Sequence, residues 1–91
     1  MVKFKDEYLA FIATQGVGKR DMVASSPDSY VSYLNSVSKL IGEDITPTNL
    51  KTEDDVINIA KTIVGKRAAT TIDKYKSAMR QYVAMVISLP L

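Results

Sequence analysis

A chain of 91 residues with 46% apolar content can fill one modest core. Cysteine and histidine are both absent, which excludes disulfides and thiolate metal sites and removes the usual general base near neutral pH. Twelve basic against ten acidic residues leave a net charge of +2, which permits a nucleic-acid partner without demanding one.

Residues 2–13 read as a first helix, with Phe4, Tyr8, Phe11 and Ile12 on one side and Leu9 beside them. Two glycines in three residues, Gly16 and Gly18, break it, and residues 21–25 hold at most a helical turn through Met22 and Val23. Ser26-Pro27-Asp28 is a helix start: a capping hydroxyl, a proline at the first position, and a carboxylate suited to the dipole. The second helix carries Tyr30, Tyr33, Leu34, Val37, Leu40 and Ile41 in register and stops at Gly42. Residues 43–50 form a connection with its own start signal, Thr46-Pro47, pinned to the core by Ile45 and Leu50.

Thr52, with Asp55 three residues later, opens a third helix whose stripe is Val56, Ile59, Ala60, Ile63 and Val64, ended by Gly65. Thr70 with Asp73 repeats the cap signature for a fourth helix running to about Ser88, beyond which Pro90 stops it. Its stripe is Ile72, Tyr75, Met79, Tyr82, Val83 and Val86. Nothing alternates with period two, so the expected fold is an all-α, compact four- to five-helix orthogonal bundle in a single domain. No apolar run approaches the ~20 residues of a membrane span, and Met1-Val2-Lys3-Phe4-Lys5 lacks the apolar core of a secretory signal. The expected location is therefore the cytoplasm.

Gly16-Val17-Gly18-Lys19-Arg20 is not a Walker loop. The glycine spacing is wrong, no Ser or Thr follows the lysine, and no strand precedes it. Glu53, Asp54 and Asp55 point ~100° apart on a helix, so they serve its dipole rather than converge on a metal. The tyrosines lie mostly on core stripes, and without histidine no constellation for catalysis assembles; no cofactor is expected. The strongest functional signal is the basic set Lys66, Arg67, Lys74, Lys76 and Arg80. Opposite the apolar stripe of the last helix lie Lys74, Ser77, Arg80 and Gln81, with Lys76 at the margin: a face able to pair phosphates and reach base edges. Lys3, Lys5, Lys19 and Arg20 are candidates to extend it.

Ser29-Tyr30-Val31-Ser32-Tyr33-Leu34, followed by Val37, Leu40 and Ile41, resembles the first helix of the SAM-like core-binding domain of phage integrases and other tyrosine recombinases. Thr71-Ile72, Tyr75, Ser77-Ala78-Met79-Arg80 and Tyr82 are similar to that family's closing helix, with its pattern T-I-x-x-Y-x-S-A-[LM]-R-x-[FY]. Helical modules preceding nuclease domains in restriction-type endonucleases are resembled about equally. The resemblance covers residues 26–86 and makes residues 1–25 an N-terminal helix and loop ahead of a SAM-like core. It implies a non-catalytic module that grips double-stranded DNA and positions it for a C-terminal recombinase or nuclease domain outside this chain. Carried over position by position, the implied DNA contacts are Lys66, Arg67, Thr70, Thr71, Lys74, Ser77 and Arg80. Two departures stand out: no catalytic domain is present, and the connection over residues 43–51 is longer than in many integrase modules. The alternative is a small phage or bacterial protein–protein interaction or oligomerisation domain. Its candidate apolar patch is Met22, Val23, Met85, Ile87, Leu89 and Leu91, which a partner or a missing domain would cover.

Overall fold

The computed structural model describes residues 1–15 and 27–89. Within them four helices follow one another: α1 (Lys5–Gln15), α2 (Pro27–Ile41), α3 (Glu53–Ile63) and α4 (Ala69–Ser88). The all-α bundle expected from the periodicity is what forms. Among the described residues no strand occurs, only isolated bridges between Val2 and Ile45 and between Val64 and Arg67. The expected glycine break, the turn at residues 21–25, the Ser26 cap and the Pro90 stop lie outside the described residues.

Helix α4 is the axis of the bundle. It packs on α1, α2 and α3, whereas α1 and α3 do not touch each other. Its buried residues are Ile72, Tyr75, Ala78, Met79, Tyr82, Val83 and Met85, a wider band than the expected stripe because three helices surround it. Met85, expected in an exposed tail patch, is fully buried, while Ile87 stands out in solvent. From α1 come Tyr8 and Ile12, and from α2 come Tyr30, Val31, Leu34 and Val37. Helix α1 therefore belongs to the same core as the rest. Two buried phenols tie α1 and the segment before it to α4: the Tyr8 hydroxyl donates to the Ala78 carbonyl and the Tyr82 hydroxyl to the Lys3 carbonyl, both at 2.8 Å.

The N-terminal segment corrects the expected start of the first helix. Residues 1–3 are not helical; the Lys3 N–H donates to the Ile45 carbonyl at 2.7 Å and the Ile45 N–H to the Met1 carbonyl at 2.8 Å. These bonds to a segment some forty residues away replace the first turn that Val2 and Lys3 would otherwise form. Phe4 then takes a left-handed backbone, φ 60°, and its carbonyl accepts the first helical bond, from the Tyr8 N–H at 2.9 Å. A bulky residue rarely adopts that conformation, and packing of its ring against the core offsets the strain.

Elsewhere local chemistry sets the boundaries. Gly42, φ 71°, ends α2, and the Ser38 carbonyl accepts from the Gly42 and Glu43 N–H groups, the bonding of a left-handed helix stop. Thr46 and Asn49 hold the connecting turn reciprocally: the Thr46 N–H donates to Asn49 Oδ1 and the Asn49 N–H to Thr46 Oγ1. That turn buries Ile45 and Leu50 completely, as expected. Thr52 and Asp55 form a capping box at the start of α3, so Asp55 serves the helix end.

Candidate nucleic-acid interface

The candidate interface is built on the corner between α3 and α4. The Lys66 N–H donates to the Ile63 carbonyl at 3.0 Å, closing a four-residue turn. Val64 has φ −57° and ψ 132°, and Gly65 follows at φ 89°, which are the angles of a type II turn. Only glycine takes the second of these cheaply, so the residue that ends α3 also fixes the corner. The turn swings Val64 outward. It is 66% exposed, where the apolar stripe of α3 predicts a core position. It also leaves Lys66 and Arg67 on the surface immediately before α4.

The structure reassigns Thr70. The residue at the cap of α4 is Ala68, which offers no side-chain oxygen, and Thr70 lies one residue inside the helix. With the bridge between Val64 and Arg67 the chain enters the helix two residues early, so the Thr70–Asp73 cap does not form. The first turn of α4 thus keeps N–H groups that no side chain caps, and it holds no acidic residue. Such a helix start is a favourable place for an anion, and here it lies beside two cations.

At ~100° per residue, Thr70, Lys74, Ser77 and Gln81 fall within about 60° of one another on the outer face of α4. Thr70 and Lys74 are exposed and Ser77 partly buried. Thr71 sits on the flank of this face, half-buried. Arg80 lies on the opposite flank, beyond Asp73, and its Nε meets the Glu53 carboxylate at 3.2 and 3.3 Å. Lys66, Arg67 and Thr70 thus lie at the α3–α4 corner and Lys74 and Ser77 follow on the outer face of α4, whereas Arg80 is drawn toward the acidic start of α3.

Pairing separates these cations further. The ion pairs among the described residues are Arg80–Glu53 and the Met1 ammonium with Asp44. Lys66 Nζ instead approaches the Leu40 carbonyl at 3.5 Å, at the negative end of α2, and the Arg67 guanidinium donates to the Lys66 carbonyl at 2.7 Å. Lys74 and Lys76 have no acidic partner among the described residues. Lys61, not singled out in the sequence, joins them, because the last turn of α3 lies beside the first turns of α4. Its antiparallel placement needs the tight corner, which no helical pattern reveals. Lys3 lies elsewhere, held next to Tyr82 in the C-terminal half of α4, and Lys19 and Arg20 are outside the described residues.

Protein-family models, curated proteins and solved structures were all compared with the chain, and none matches it. Among the described residues no helix is long and apolar enough to cross a membrane.

Proposed function

We propose that this chain is a non-catalytic DNA-binding module of the cytoplasm that holds duplex DNA for a catalytic domain outside it. The observation that carries the reading is the α3–α4 corner. There Lys66 and Arg67 precede an uncapped helix start with an exposed threonine hydroxyl and Lys74 follows it, none of the three in an ion pair among the described residues. Phosphate oxygens suit each of these groups: cations by charge, N–H and hydroxyl groups as donors. Contacts of this kind position a duplex without reading its sequence. Lys74, Ser77 and Gln81 on the outer face of α4 are the residues placed to reach base edges.

The test is a titration of a labelled random duplex of about 20 base pairs, read by fluorescence anisotropy at two salt concentrations. With about four phosphates neutralised, affinity should fall roughly 10²-fold between 50 and 200 mM salt. Lys66→Glu/Lys74→Glu should abolish binding while far-UV circular dichroism stays unchanged, since both side chains are exposed. Binding unaffected by that double substitution would refute the interface.

A further inference from the structure

Beside the same corner, α3 and α4 leave an open groove of about 560 Å³ between them. Its apolar wall is made by Ile57, Ala60, Val64 and Ile72. Ile57 is 39% and Val64 66% exposed, so two branched apolar side chains meet water at a place the bundle does not close. Lys61 on α3, Arg67 on the turn and Lys76 on α4 stand around this wall, against one carboxylate, Asp73. None of the three cations is in an ion pair among the described residues.

A groove walled by two helices with an apolar floor is the setting in which an amphipathic helix docks. The rim charge selects among such helices: acidic flanks meet three cations, whereas basic flanks meet three like charges. Duplex DNA presents chiefly phosphates and polar base edges, a poor cover for Ile57 and Val64. In a second copy of this chain two of the three carboxylates at the start of α3 are already engaged. Asp55 closes the capping box and Glu53 holds Arg80. We propose that the α3–α4 groove docks an acidic amphipathic helix of a partner protein. Its apolar side rests on Ile57, Val64 and Ile72, and its carboxylates face Lys61, Arg67 and Lys76. Ile57 stands apart from the residues proposed to contact DNA. Arg67 is common to both surfaces, so the docked helix withdraws one cation from the duplex.

The experiment is selection from a displayed library of random peptides of about 16 residues, long enough for some four helical turns, on the full chain. Enriched peptides should carry apolar residues at three-and-four spacing and a net negative charge. A synthetic representative should bind Ile57→Glu and Lys61→Glu/Lys76→Glu at least roughly tenfold more weakly than the unaltered chain. Ile57→Glu should still bind duplex DNA as before, which separates this surface from the DNA face. Should Ile57→Glu fail to fold, Lys61→Glu/Lys76→Glu carries the comparison. The proposal is overturned by an absence of enrichment, by enriched peptides without acidic bias, or by equal affinity for the variants. Self-association in sedimentation that Ile57→Glu abolishes overturns it too, and gives the groove to a second copy.

Discussion

Tyr8 and Tyr82 keep their protons beyond the ordinary phenol range. Their rings lie 5.7 Å apart in the core, and each hydroxyl donates to a backbone carbonyl. Burial, reinforced by the Glu7 carboxylate, pushes Tyr82 up to about 12. Burial pushes Tyr8 higher still, with the neighbouring Tyr30 adding to it. In the unfolded chain both titrate near 10. The fold therefore favours the protonated phenols: their contribution is complete below about pH 10 and is lost as pH rises from there toward 12. Above pH 10 stability should fall by ~1.4 kcal/mol per pH unit for each tyrosine. Thermal melts between pH 7 and 11 should show this slope halved in Tyr82→Phe. At neutral pH the same substitution should cost about 1 kcal/mol for the lost bond to the Lys3 carbonyl. A slope identical in both proteins would disprove this account of the core.

Among the elements, α3 is the one whose ends are written most locally. Thr52 and Asp55 satisfy each other's backbone N–H groups at its start, so Thr52→Ala should lower stability by about 1 kcal/mol in urea unfolding. At its other end, Gly65 sits at φ 89° with open space where a Cβ would stand. Gly65→Ala should therefore cost about 1 kcal/mol through backbone strain alone. These two elements of the reading were legible because each depends on residues within one turn of sequence. The start of α4 was not. Thr70 and Asp73 have the spacing of a cap, yet the turn geometry at Val64–Arg67 places the helix start at Ala68. The same turn carries Val64 off the apolar stripe, because a helical period no longer applies to a residue whose backbone has left the helix.

Across the whole molecule, charge is sorted along the α3–α4 pair. The acidic start of α3 lies by the middle of α4 and holds Arg80, while the basic residues gather at the corner where the two helices meet. Both members of the Arg80–Glu53 pair are about half exposed, so it should contribute only ~0–1 kcal/mol to stability. Its consequence for DNA is larger. Arg80→Ala should weaken duplex binding less than Lys74→Ala, and Glu53→Gln should strengthen it by freeing a cation. The salt dependence is the measure: Lys74→Ala should reduce the slope of log K against log salt by about one, and Arg80→Ala by less. Equal losses in both variants would mean that Arg80 leaves Glu53 to meet phosphate.

Four helices, the capping box of α3, the glycine stops at Gly42 and Gly65 and the burial of Ile45 and Leu50 all follow from the amino-acid sequence. Each rests on a helical period or on hydrogen bonds spanning a few residues. The basic set at the corner was visible for the same reason, as a run of charges next to a helix start. The extended bonds of Met1 and Lys3 to Ile45, the left-handed Phe4, the capture of Arg80 by Glu53, and the groove that joins Ile57 to Lys76 required the tertiary structure. They connect segments about 20 to 45 residues apart, where contact is decided by how the helices pack and not by the spacing of residues along the chain.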